Sequence, residues 1–272
     1  MVATIAAGLG HRTVTGQWQL FKGSRLSSSI NYIEKLVSDG REGFWLLGFI
    51  TELAHRDSSG EWQIVDTFNG RYTQNANIFD ITSNGQDGLW AGADIGLAYQ
   101  DAAGHWQIFN ESNSGLPKST ISSVILDAEG GQWIGTVNGQ IVHHDKTGQW
   151  QIFDKNNSSL PANTNINSLL MDNKNGLWIG TSNGLVYLDT DGQWQVFNTS
   201  NSSMPDNWIR YLLNDNQGGL WIGTNKGGLV HRHIDGQWQV FNKSNSGLSD
   251  NFITILLISV PIFSPTQELI AP

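Results

Sequence analysis

The sequence predicts an all-β chain, a six-bladed β-propeller of four-stranded antiparallel blades. Three observations carry this. A Gly-x-Trp-Gln string recurs with its Trp at Trp18, Trp62, Trp106, Trp150, Trp194 and Trp238, each step being 44 residues. A second Trp column, Trp45, Trp90, Trp133, Trp178 and Trp221, runs through the same units with steps of 45, 43, 45 and 43. Between the columns lie short apolar runs separated by Gly, Asn and Asp turns, the pattern of a β-meander, and four strands in about 44 residues make one propeller blade.

The unit Ile166 to Phe197 shows the elements in order. Ile166–Met171 is a β-rich apolar run, Asp172–Gly176 a polar turn and Leu177–Thr181 a second strand. Ser182–Gly184 turns into a third strand at Leu185–Leu188, and Asp189–Gly192 turns into a fourth at Gln193–Phe197. A 3.6-residue apolar period is absent, which excludes a helical solenoid. Residues 2–21 supply the second to fourth strands of a unit whose first strand is expected from Asn251 to Ile258, closing a six-bladed ring without free edges. There Ser259 stands at the Asp position and Pro265 where a Trp is expected. The domain is therefore expected over 1–259, with 260–272 a tail outside the repeat.

The chain has 272 residues, of which 14% are charged, with 31 Gly and 12 Trp, a composition foreign to disordered chains and helical bundles. The formal net charge of −9 offers nothing to nucleic acid phosphates or an anionic membrane. Cysteine is absent, which excludes disulfides, zinc–thiolate sites and thiol nucleophiles. Met1 to Gly10 has no basic n-region and makes a poor signal peptide. The longest apolar run, Phe252 to Phe263, is 12 residues, too short to span a bilayer, so no membrane insertion is expected.

The segments DNKNGLWIGTSNGL (Asp172–Leu185) and NDNQGGLWIGTNKGGL (Asn214–Leu229) resemble the two-component regulator propeller repeat, and EGGQWIGTVNGQ (Glu129–Gln140) is a weaker copy. DGLWAGADIGL (Asp87–Leu97) and EGFWLLGFITEL (Glu42–Leu53) drift further, and the resemblance extends over about 1–258. It implies a sensor part of bacterial hybrid two-component histidine kinases, proteins often placed in the periplasm, where seven blades are usual. This sequence shows six units and no immunoglobulin-like, transmembrane or kinase segment.

A residue present in every unit serves something that happens in every blade. The Trp columns are therefore read as packing. The Gly two residues before each Trp is read as a turn position needing positive φ. The Asp/Asn column (Asp39, Asn84, Asp127, Asp172, Asp215) is read as a turn cap, since a calcium loop would need several oxygens on one ion and a closing Glu, and none follows at the right place. The Gln after each Gly-x-Trp lies on the outermost strand. A His/Tyr column (His11, His55, Tyr99, His143, Tyr187, His231) places one ring per blade, too far apart to converge on a metal.

Variation between units is where one ligand could leave its mark. Next to the Ile column of the first strand stand Glu34, Phe79, Ser122, Asn167, Arg210 and Thr254, mostly polar and suited to a water-filled channel. On its other side stand Tyr32, Asn77, Thr120, Asn165, Trp208 and Phe252. Trp208, outside both Trp columns, has no packing duty that the repeat explains. The candidate ligand-binding set is Trp208, Arg210, Glu34, Tyr32, Asn77, Asn165, Asn167 and Phe252, at the channel and the face carrying loops such as Asn198–Asn207. Aromatics with Asn and Arg suit a small molecule or glycan. No nucleophile elbow or phosphate loop is present, and no cofactor or catalytic residue is assigned. The expected function is non-catalytic ligand sensing. A protein-interaction scaffold is the alternative, and a propeller lyase or lactonase comes behind both.

Overall fold

The computed structural model describes strands at 2–4, 8–12 and 18–21, and residues 33–41, 43–48, 52–65, 76–85, 88–215 and 217–253. Among these residues twenty-three strands run in chain order. β1 (Val2–Thr4), β2 (Gly8–Arg12) and β3 (Trp18–Phe21) form a three-stranded sheet. Blade 1 is β4 (Ile33–Ser38), β5 (Phe44–Gly48), β6 (Leu53–Arg56) and β7 (Trp62–Val65), and blade 2 is β8 (Ile78–Ser83), β9 (Leu89–Ala93), β10 (Gly96–Gln100) and β11 (Trp106–Phe109). Blade 3 is β12 (Ile121–Leu126), β13 (Gln132–Thr136), β14 (Ile141–His144) and β15 (Trp150–Phe153). Blade 4 is β16 (Ile166–Met171), β17 (Leu177–Thr181), β18 (Gly184–Leu188) and β19 (Trp194–Phe197). Blade 5 is β20 (Ile209–Asn214), β21 (Leu220–Thr224), β22 (Leu229–Arg232) and β23 (Trp238–Phe241). In blade 4 the strands begin and end within one residue of their expected bounds.

Among the described residues the structure thus has five four-stranded blades, and the six-bladed ring expected from the repeat is corrected. The sixth Gly-x-Trp-Gln copy, at Trp18, lies on β3 of the three-stranded sheet, with which no fourth strand pairs among the described residues. Residues 251–253 still follow the loop register of earlier blades: the Gly228 amide donates to the Asn251 carbonyl (2.9 Å) as the Gly184 amide does to Asn207 (2.7 Å). They form no strand, and the expected closing strand beyond Ile253 lies outside the described residues, as does 260–272.

Blades 1, 3, 4 and 5 are held by one kind of clamp, and blade 2 has Asn84 in place of its Asp. In blade 3, Asp127 Oδ1 accepts the Glu129 amide (2.9 Å) and the Gly131 amide (2.7 Å), closing the first turn. Its Oδ2 meets His143 Nε2 at 2.8 Å, and the His143 ring stacks on Trp133 with centroids 4.1 Å apart. Asp39, His55 and Trp45 repeat this in blade 1, and Asp215, His231 and Trp221 in blade 5. Blade 4 uses Tyr187, whose hydroxyl donates to Asp172 (2.8 Å) and whose ring lies 4.3 Å from Trp178. Burial and the Asp172 carboxylate together push the Tyr187 phenol up to about 12. The turn-cap reading of the Asp column and the packing reading of the His column therefore hold.

The glycines divide into two kinds. The Gly of Gly-x-Trp-Gln does sit at positive φ, for example Gly148 at 85°. The Gly before the other Trp column does not, which corrects the positive-φ expectation there. A Cβ on Gly131 would strike the Asp127 carboxylate, and one on Gly176 would strike the Tyr187 hydroxyl. Those glycines make room for the clamp.

Blades pack through aromatic stacks and a meshed inner ring. Trp133, Phe153 and Trp194 link blade 3 to blade 4 with centroids 5.9 and 5.6 Å apart, and Trp178, Phe197 and Trp238 link blade 4 to blade 5 at 6.0 and 5.6 Å. Nearer the axis, Gly92, Gly135 and Gly180 face the side chains of Ile121, Ile166 and Ile209 of the next blade, so closely that a Cβ would overlap them.

Candidate functional site

The first strands surround the axis, and each carries a β-bulge at its second residue. The register shifts between Ile33 and Lys35, Ile78 and Asp80, Ile121 and Ser123, Ile166 and Ser168, and Ile209 and Tyr211. The skipped residues are Glu34, Phe79, Ser122, Asn167 and Arg210, the variable column singled out in the sequence. A bulged residue is released from the ladder and its side chain re-aimed, so one position per blade is freed from the repeat's packing.

Two of these side chains are used between blades. Ser122 Oγ donates to the Ile166 carbonyl (2.6 Å), and Asn167 Nδ2 to the Ile209 carbonyl (2.7 Å). Asn167 is thereby committed to the neighbouring strand. Glu34 is solvent-exposed, yet burial by the surrounding strands raises its carboxyl above the usual range. Asn77 is exposed and donates through both its backbone and side-chain nitrogens to Asp94, at 3.1 and 3.0 Å. Asn165 is exposed and its amide donates to Ser182 Oγ (2.9 Å). Tyr32 lies outside the described residues.

Arg210, Trp208 and Phe252 form the distinctive group. The Arg210 guanidinium sits 4.4 Å above the Phe252 ring and 5.6 Å from that of Tyr211. Its Nη1 approaches Asn225 Oδ1 at 3.5 Å, while its buried Nε has no partner among the described residues. Trp208 is held by its backbone: its amide donates to Asp206 (3.1 Å), and its carbonyl accepts from Asn225 (3.0 Å). The indole itself is 45% exposed, Phe252 is 42% exposed and Phe79 is 47% exposed, whereas column residues such as Trp45 and Trp178 are buried.

Sequence reasoning missed a second polar feature, one residue further along the same strands. Asp80 is buried and pairs with Lys35 of blade 1. Its other oxygen accepts from Ser123 Oγ (3.0 Å) and the Val124 amide (2.8 Å) of blade 3, and Ser123 Oγ in turn accepts the Leu169 amide (3.2 Å) of blade 4. The signal was available: Lys35, Asp80, Ser123, Ser168 and Tyr211 share one repeat position, with opposite charges in adjacent blades. From the partly exposed Lys35 inward the polar groups meet one another, which makes this a girdle joining four blades.

The comparisons with known proteins follow the fold. The sequence profile described as two component regulator propeller matches residues 159–183 and 203–226. No curated protein sequence matches the chain significantly. Among solved structures, the extracellular domain assigned to a hybrid two component system of B. thetaiotaomicron superposes with a TM-score of 0.68 at 22% identity, covering 79% of this chain and 29% of that one. Virginiamycin B lyase from Staphylococcus aureus superposes at 0.69 with 13% identity, covering 87% of this chain and 77% of that one. PorZ, a surface component of the type-IX secretion system of Porphyromonas gingivalis, superposes at 0.64 with 13% identity, covering 89% of this chain and 39% of that one. This chain spans less than a third of the length of the two component system relative. No helix among the described residues is long and apolar enough to cross a membrane. The chain is a β-propeller that carries two-component regulator propeller repeats at 159–183 and 203–226.

Proposed function

We propose that this propeller is a non-catalytic sensing module that takes a small molecule or glycan fragment at the mouth of its channel. The observation that carries this reading is the Arg210–Phe252 stack together with the exposed Trp208 indole. In a molecule whose repeat buries its aromatics, these rings face solvent at positions freed by bulges and loop ends. A saccharide offers an apolar face to an aromatic ring and hydroxyls to a guanidinium and carboxamides. The likeness to a two component system's extracellular domain supports sensing, and the lyase likeness at 13% identity is one of fold alone.

The test is a thermal-shift and calorimetric screen of a glycan panel on the wild-type chain, on Trp208→Ala and on Arg210→Gln. One glycan class should raise the melting temperature, and each variant should weaken its binding at least tenfold. A screen without response, followed by capture of a protein partner lost in Trp208→Ala, would replace this reading with the interaction scaffold.

A further inference from the structure

Between the outer parts of blades 4 and 5, an aromatic cage holds a cation that belongs to the protein itself. The Arg232 guanidinium lies 5.2 Å from the ring centre of Trp178, 5.6 Å from that of Phe197 and 5.8 Å from that of Trp238. All three distances are within reach of a cation–π contact. Arg232 stands opposite Trp238 in the register of β22 and β23. The residues at this register position in blades 1 to 4 are Arg56, Gln100, His144 and Leu188. Blade 4 is thus the one of the five with an apolar residue there.

The cleft between blades 3 and 4 therefore has the cage without the cation. Trp133, Phe153 and Trp194 are the repeat equivalents of Trp178, Phe197 and Trp238, and their ring centres are spaced alike, at 5.9 and 5.6 Å against 6.0 and 5.6 Å. Leu188 is buried in the apolar cluster that these rings pack against, and it carries no charge. A cavity of about 340 Å³ lies there, lined by all three rings and Leu188, against about 210 Å³ for the cleft that Arg232 lines. The tryptophans register the difference: Trp178, under the guanidinium, is buried, while Trp133 is partly exposed. Asp189 is the one charged residue lining the larger cavity. One of its oxygens caps its own turn by accepting the Asp191 and Gln193 amides (3.0 and 2.8 Å), and the other has no partner among the described residues. Blade 5 has His233 at that place.

We propose that the cleft between blades 3 and 4 binds a small molecule bearing a guanidinium group, of the size of arginine. Its guanidinium takes the place among Trp133, Phe153 and Trp194 that Arg232 takes in the next cleft, and Asp189 supplies the opposite charge and a free acceptor oxygen. What points to this ligand is the guanidinium already seated by the equivalent rings of the same chain. A planar guanidinium stacks on aromatic faces and keeps its N–H groups for a carboxylate. The cavity volume falls within the range of small-molecule sites. This site is separate from the channel mouth and does not rest on glycan sensing there.

The experiment is isothermal calorimetry on the full chain with arginine as the probe. Citrulline, in which an uncharged ureido group replaces the guanidinium, is the control. Leu188→Arg gives blade 4 the residue of blade 5 and fills the cage from within. Asp189→Asn removes the charge and keeps a turn-capping oxygen, as Asn84 caps the Gly88 amide in blade 2. The expected result is saturable binding of one arginine per chain, with citrulline at least tenfold weaker. Arginine binding should fall at least tenfold in Leu188→Arg, fall measurably in Asp189→Asn and stay unchanged in Trp208→Ala. If Leu188→Arg fails to fold, Asp189→Asn decides alone. Absence of saturable binding, equal binding of citrulline, arginine binding that a folded cleft variant leaves unchanged, or binding lost in Trp208→Ala would each overturn the proposal.

Discussion

The aspartate of the first turn joins three parts of a blade. One oxygen closes the turn, the other orients a ring on the third strand, and that ring covers the Trp of the second. In Asp39, Asp127 and Asp215, burial pushes the carboxyl up, but backbone amides and the facing His outweigh it and hold the group below its ordinary value. A carboxyl lowered on folding stabilises the fold above its unfolded pKa, and the contribution is lost as pH falls through the folded one. Urea midpoints should therefore be flat from neutral pH to about 5 and fall below about pH 4, where the unfolded carboxyl begins to bind protons. Asp127→Ala should cost about 1–3 kcal/mol at neutral pH, because two amides and His143 lose their acceptor, and the same variant should show a weaker acid dependence. The sequence already marked Trp133 as packing and His143 as one ring of a column too dispersed to bind a metal. Their roles are set by the 2.8 Å contact to Asp127, which joins residues 16 apart in the chain.

At the scale of the strand, the repeat's glycines and isoleucines are one device. The Gly two residues after the second-strand Trp leaves a notch, and the Ile of the next blade fills it, as Ile166 fills the notch at Gly135. Gly135→Ala should overpack this contact and destabilise by about 1–3 kcal/mol, read from the unfolding midpoint. Ile166→Val should cost only about 0.5–1.5 kcal/mol, since it trims the same contact without a clash. Strand bounds were legible in the sequence because turn residues mark both ends of each strand. The bulges were not, since a skipped residue leaves the count of residues per strand unchanged. Yet the bulge is what turned the variable column, Glu34 to Arg210, into a set of positions freed from packing.

Across the whole molecule, the girdle from Lys35 through Asp80 and Ser123 to Leu169 couples blades that share no strand pairing. Lys35→Met would leave Asp80 buried without its cation. Because Lys35 is partly exposed, with 36% of its side chain accessible, the loss should be nearer 1–3 kcal/mol than the larger cost of a fully buried pair. Replacing Lys35 and Asp80 together by Met and Leu should recover part of it, which a double-mutant cycle would measure. The number of blades belongs to this scale too. Six Gly-x-Trp-Gln copies promised six blades, but among the described residues only five sets of four strands pair into blades, and the copy at Trp18 lies in a three-stranded sheet.

The sequence by itself determined the blade: its length, its four strands, its turn caps and its packing columns all follow from a period repeated along the chain, because local turn chemistry and side-chain alternation are written in adjacent residues. Only the tertiary structure decided what breaks the repeat. That Arg210 stacks on Phe252 and that Asp80 joins Lys35 to Ser123 depend on which residues of different units are brought face to face. That is a consequence of how blades pack, and no single unit contains it.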